Sequence, residues 1–176
     1  MNRRHVLITG ACALAVPAIA RAQDPITQKF INKPEDGWTI YGPQTDKTVK
    51  DKDINGGRAI EVKIASANGN IWEAAAQTAI IKPIKKGDKI LGVVNLRAAT
   101  ESGGPASLNL RLQINTAPYS DFGQKSISVG PTWQQYAIDT VAPQDYAANT
   151  TVMVIHLASG KQSIFLGPGI VLNMGQ

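Results

Sequence analysis

Four residues at alternate positions, Asn109, Arg111, Gln113 and Asn115, place three amides and a guanidinium on one face of a short segment. Leu108, Leu110, Leu112 and Ile114 fall on its other face, the period-two alternation of a half-buried strand. Acidic and lysine side chains dominate most solvated strand faces, whereas amide and guanidinium groups donate and accept hydrogen bonds at fixed spacing. They suit a ligand with paired hydroxyls. A second segment sets Asn95 and Arg97 in alternation with Val94 and Leu96, and is expected to lie beside the first. The alternative is a face that is simply wet, because one side of an antiparallel sheet commonly meets solvent.

The aromatic residues extend the same chemistry, since the apolar face of a sugar ring stacks on an indole or phenol ring. Trp38 and Trp133 stand at strand starts and are expected to anchor the core. Trp72 follows the polar turn Ala67-Asn-Gly-Asn, and Tyr119 sits in the loop Ala117-Pro-Tyr-Ser-Asp-Phe, where a platform role competes with packing. Motifs for catalysis are absent: there is no G-x-S-x-G elbow, no P-loop and no dinucleotide fingerprint. After His5 the chain has one histidine, His156, so a zinc site built on two histidines cannot form in the remainder. The carboxylates Glu61, Glu73, Asp88 and Glu101 are read as solvated strand-edge charges rather than an acid–base pair.

The N-terminus changes how the composition is read. Positive charge at Arg3 and Arg4, an apolar run from Val6 to Ile19, and Ala20-Arg21-Ala22 are the three parts of a secretory signal peptide, with cleavage expected after Ala22. The run is too short for a membrane span of about 20 residues. Arg3-Arg4 also resembles a twin-arginine signal, so both the general secretory and the twin-arginine routes stay open. Either route makes the protein periplasmic or secreted, of bacterial type. Arg3, Arg4 and Arg21 leave with the signal, so the 18 Lys+Arg become 15 against 13 Asp+Glu. A net charge of +2 gives no footprint for nucleic acid. Cys12 leaves too, so the mature chain has no disulfide and must be stabilised by burial, which about 150 residues can supply. Residues 23–176 are expected to form a single domain with no membrane span.

That domain reads as all-β. Arg58-Ala-Ile-Glu-Val-Lys-Ile alternates strictly, as does 108–115. Further strands are expected at 29–31, 38–41, 48–50, 73–81, 89–98, 124–129, 134–139, 151–157 and 163–172. Asn55-Gly-Gly, Lys86-Gly-Asp, Ser102-Gly-Gly-Pro and Ser159-Gly-Lys punctuate them. Many short strands at regular spacing predict an antiparallel β-sandwich of the jelly-roll kind.

Taken in order, the signals resemble a known family. Asp36-Gly-Trp-Thr-Ile-Tyr-Gly leads, followed by Arg58-Ala-Ile-Glu-Val, Asn70-Ile-Trp with Gln77, and Ile84-Lys-Lys-Gly-Asp-Lys-Ile before Leu96-Arg-Ala. Val129-Gly-Pro-Thr-Trp-Gln-Gln-Tyr and Ile164-Phe-Leu-Gly-Pro-Gly-Ile-Val-Leu-Asn close the series. The chain resembles the galactose-binding-like jelly-roll carbohydrate-binding modules, families four, nine and twenty-two among them. It is similar to the segments that precede catalytic domains in some secreted xylanase-type glycoside hydrolases. The resemblance implies a module for polysaccharide or oligosaccharide of hemicellulose or xylan type, with a glycoside hydrolase as a candidate partner and, in some members, a structural calcium ion; with no catalytic domain after Gln176, a free-standing module is expected. Carried across by position, Trp72, Asn95, Arg97, Arg111, Gln113 and His156 would line its groove, with Tyr119 added from the loop reading. A protein-interaction or envelope-assembly domain and a glycan-active enzyme stand as the other readings.

Overall fold

The computed structural model describes residues 26–66 and 69–176. The expected signal peptide with Cys12, and the Ala67-Asn68 half of the polar turn, lie outside the described residues. Ten strands follow one another: β1 (Thr39–Tyr41), β2 (Thr45–Lys50), β3 (Arg58–Ile64), β4 (Ala75–Ile80), β5 (Lys89–Thr100), β6 (Ala106–Ile114), β7 (Asp121–Val129), β8 (Gln134–Val141), β9 (Thr151–His156) and β10 (Gln162–Asn173). They form two five-stranded antiparallel sheets, in the orders β1-β4-β9-β6-β7 and β2-β3-β10-β5-β8. The chain is an all-β sandwich with the jelly-roll arrangement its alternating strands predict. No helix among the described residues is long and apolar enough to cross a membrane.

Alternation places the core. Leu108, Leu110 and Leu112 from β6, Met153 and Ile155 from β9, Val94 and Leu96 from β5 and Ile164 and Leu166 from β10 point between the sheets and are almost wholly buried. The 73–81 stretch starts later than expected. Ile71–Glu73 makes a 3-10 turn, and the strand begins at Ala75. Of the strand expected at 29–31, Lys29 ends a 3-10 turn (Thr27–Lys29), Phe30 makes an isolated bridge to Leu172, and Ile31 N donates to Val171 O (2.9 Å).

Two devices hold the sheets in place. The first is Asn32, a buried amide between them: its Nδ2 donates to Thr78 Oγ1 of β4 (3.2 Å) and Gly169 O of β10 (2.9 Å), and its Oδ1 accepts from Val171 N (2.8 Å). Removing the amide leaves buried backbone groups unpaired, at roughly 1–3 kcal/mol each. Asn32→Ala is expected to lower the urea unfolding free energy by about 3 kcal/mol; a loss under about 1 kcal/mol would mean water replaces the amide. The second is Gly169. The register of β10 on β5 shifts between Leu166 and Gly169, a bulge carrying Gly167-Pro168. Trp38 packs its ring against Gly169, where a Cβ would meet the indole, and its Nε1 donates to Gly167 O (2.8 Å).

A further bulge decides what the site looks like. Between β6 and β7, Leu112 pairs with Gly123 but Gln113 pairs with Asp121, so Phe122 is the extra residue. Phe122 packs against the core and stacks on Tyr146, ring centroids 4.6 Å apart. The skipped position turns Asp121 onto the outward face, where unbroken alternation would have put Phe122.

Candidate functional site

The outward face of the β1-β4-β9-β6-β7 sheet carries the chemistry. Register aligns Tyr41, Ala75, His156 and Asn109 across one row and Gln77, Val154 and Arg111 across the next, with Val152 and Gln113 in the third. Beneath the polar groups, Ala75, Val152 and Val154 make a small buried apolar cluster on this face. Above it lies a groove of about 610 Å³, within the ordinary range for small-molecule sites. Gln77, Arg111, Gln113, Asn115 and His156 supply its polar wall, and Tyr41, Trp72, Pro118 and Tyr119 the rest.

Each aromatic has a local reason to be there. Tyr41 faces outward because Ile40 faces the core, and Tyr41 is 39% exposed on the edge strand. Gly42 follows it with φ 115°, and a Cβ there would collide with Glu73 O and Ala74 Cα. Only glycine allows the chain after Tyr41 to lie against the segment that carries Trp72. Trp72 rides on the 3-10 turn, whose flanks are tied to the end of β9 by Ala158 N to Ile71 O (3.1 Å) and Leu157 N to Ala74 O (2.8 Å). Its side chain is 55% exposed. Tyr119 sits on the β6–β7 loop in the left-handed region, φ 57°, with its N–H donating to Thr116 O (2.7 Å). That conformation costs a non-glycine residue about 1–2 kcal/mol, and the phenol it presents remains 54% exposed.

The polar wall is only partly satisfied. Arg111 Nη2 meets Asp121 Oδ1 at 2.9 Å, yet Arg111 Nε, Gln113 Oε1 and His156 Nδ1 are buried with no hydrogen-bond partner among the described residues. Buried polar atoms are usually paired, so three orphans lining one groove mark where ligand or water atoms belong. Burial, seconded by the Arg111 charge and opposed by Asp121, pushes the His156 imidazole down to about 4. His156 is therefore neutral at pH 7. Burial first, and the neighbouring Tyr119 second, push the Tyr41 phenol up, with Arg111 acting the other way.

The depressed histidine makes stability depend on pH. Between about 4 and its ordinary 6.5, the unfolded chain takes up a proton that the folded chain refuses. The contribution is complete above pH 6.5 and is lost as pH falls toward 4, on the order of 3 kcal/mol in all. Urea unfolding at pH 7 and pH 4.5 is expected to show this loss in the native protein and a much shallower one in His156→Gln. Equal slopes in the two proteins would mean that His156 does not titrate as a buried neutral group.

Of the residues singled out by sequence, Trp72, Arg111, Gln113, Tyr119 and His156 come together around this groove. Asn95 and Arg97 do not. β5 pairs with β10 and β8 in the opposite sheet, so both residues face outward on the far side of the sandwich. There Arg97 stacks over Phe165 (3.7 Å to the centroid) and pairs with Asp51 (3.2 Å). Trp133, expected in the core, lies on that outer face, 5.4 Å from Arg97, and its Nε1 donates to Asp51 Oδ2 (3.1 Å). Asn109, the first rung of the ladder, accepts a bond from Ser126 Oγ (2.9 Å) and does not line the groove. Sequence reasoning missed Tyr41, whose signal was an aromatic out of phase with Ile40, and Asp121, whose position depends on the bulge. The calcium expectation finds no acidic donor set: no group of three or more His, Cys, Asp or Glu that could hold a metal forms among the described residues.

No protein-family model matches the chain, and no curated protein matches it in sequence. Solved structures do. A CBM4 structure superposes with a TM-score of 0.63 at 14% identity, covering 78% of this chain and 95% of that one. The CBM22-1 xylan-binding domain from Paenibacillus barcinonensis gives a TM-score of 0.57 at 9% identity over 80% and 87% of the two chains. The N-terminal cellulose-binding domain of a Cellulomonas fimi β-1,4-glucanase gives 0.56 at 16% identity over 84% and 94%. The fold is thus the two-sheet jelly roll of carbohydrate-binding modules, a likeness of architecture at these identities.

Proposed function

We propose that the chain is an exported carbohydrate-binding protein that holds a polysaccharide of hemicellulose type, xylan first among candidates, in the groove on the β1-β4-β9-β6-β7 sheet. One observation carries the reading: exposed Tyr41, Trp72 and Tyr119 surround a groove whose wall holds three unpartnered polar atoms. Ring faces would stack on sugar faces, while Gln113, Arg111 and His156 would take hydroxyls. The jelly-roll likeness to modules that include a xylan-binding and a cellulose-binding domain supports it. Binding without catalysis is the reading the lining favours, because among the described residues no Asp or Glu lines the groove, and most glycoside hydrolases use two carboxyl groups flanking the bond. Catalysis on the bound polymer would fall to a separate glycoside hydrolase, met in the periplasm or outside the cell.

Native affinity electrophoresis of residues 23–176 through gels holding xylan, cellulose derivatives, β-glucan and bacterial polysaccharides tests this. Retardation by one neutral polymer class is expected, with an affinity on the order of micromolar or weaker, because stacking of a few rings must offset the cost of association. Unchanged mobility across the panel would move the reading to a protein-interaction surface, and release of reducing sugar by the pure chain would move it to an enzyme.

A further inference from the structure

Among the described residues, Arg111 is the only side chain lining the groove that carries a full charge at neutral pH; none of them that lines the wall is Lys, Asp or Glu, and His156 is neutral there. An unpaired guanidinium in a partly enclosed site is a natural fork for a carboxylate. In this protein the fork is already engaged. Asp121, which does not itself line the groove, takes Arg111 Nη2 at 2.9 Å. It reaches that place only because the bulge at Phe122 turns it outward. Besides His156 Nδ1, unpartnered in the groove-lining side chains are Arg111 Nε, a donor, and Gln113 Oε1, which can only accept. A sugar hydroxyl can answer both, whereas a carboxylate oxygen would face the Gln113 carbonyl and the Asp121 charge.

We infer that Asp121 is a specificity-determining residue that sets the groove against acidic glycans, by cancelling the Arg111 charge and reserving the site for neutral sugar hydroxyls. This rests on the carbohydrate-binding reading above. It also predicts a gain of function: with the aspartate charge removed, the Arg111 fork becomes available to uronate carboxylates. Asp121 acts through Arg111 and is a positioning residue, so its test needs a readout that mere destabilisation cannot produce.

The native chain, Asp121→Asn and the double variant Arg111→Gln/Asp121→Asn are run in affinity gels at pH 7 containing the neutral panel or sodium polygalacturonate. The native chain is expected to be retarded by a neutral polymer and to pass polygalacturonate unhindered. Asp121→Asn should bind polygalacturonate at least roughly tenfold more tightly than the native chain, the scale of one charge-assisted pair. The double variant should lose that gain, which separates a fork at Arg111 from a general increase in positive charge. Asp121→Ser, judged alongside by its unfolding curve, stands in if the asparagine variant does not fold. Polygalacturonate binding by the native chain, or a folded Asp121 variant with no gain, overturns the inference and leaves the sugar reading in place. Failure of native chain and variants to bind any polysaccharide overturns both.

Discussion

Trp72→Ala is expected to abolish retardation by the recognised polysaccharide while leaving the unfolding transition within a degree or two of native. The indole is 55% exposed and contributes nothing to the buried core clusters, and surface substitutions of that kind usually shift stability by under about 0.5 kcal/mol. Losing a platform ring should remove about 2 kcal/mol of binding, roughly thirtyfold. From a starting affinity near micromolar or weaker, that takes the complex out of the range an affinity gel detects. Isothermal titration with an oligosaccharide of the retarding polymer gives the number. An unfolded variant, or one with native affinity, would remove Trp72 from the site.

Trp38→Ala is expected to do the reverse. Trp38 is 9% exposed, lies in the main core between the sheets and donates to Gly167 O. Truncating a buried tryptophan costs about 3–5 kcal/mol, a large share of the 5–15 kcal/mol typical of a domain. Urea unfolding followed by Trp133 and Trp72 fluorescence should show a midpoint displaced far to lower denaturant. Binding at low temperature should survive wherever the variant is folded, since Trp38 does not line the groove. Gly169→Ala should destabilise in the same direction, because its Cβ would meet the Trp38 ring. A loss below about 1 kcal/mol in Trp38→Ala would contradict the packing described.

These two tryptophans differ in how far the local sequence places them: Trp38 is expected in the core, whereas at Trp72 platform and packing stand level. Trp38 opens a strand within an apolar pattern and packs as expected; Trp72 follows a polar turn and remains exposed. Trp133 has the same local look as Trp38, a strand start after Gly130-Pro131, yet it lies on the outer face bound to Asp51. What separates them is their partners: Trp38 meets Gly169 and Trp133 meets Arg97, residues remote in sequence.

The strands themselves were legible because alternation is a local consequence of the pleat. Residues 58–64 run as expected, and β6 buries Leu108, Leu110 and Leu112 while turning Arg111 and Gln113 outward. Period two states which side of its own strand a residue occupies. It carries no information about which strand lies alongside. Asn95 and Arg97 therefore matched Arg111 and Gln113 in type and phase, and still belong to the other sheet.

By itself the sequence determined an all-β chain, the inward face of its long strands and a stock of amides, one histidine in a strand and a few aromatics. Tertiary structure decided which of those side chains meet. Pairing of β6 with β9 put Arg111 diagonally next to His156 and Gln113 one row beyond Arg111, Gly42 let Tyr41 approach the turn of Trp72, and one extra residue at Phe122 brought Asp121 to Arg111. The reason is physical: phase along a strand is set by neighbours one and two residues away, whereas a binding site is set by register between strands, and a single inserted residue reverses every side chain beyond it.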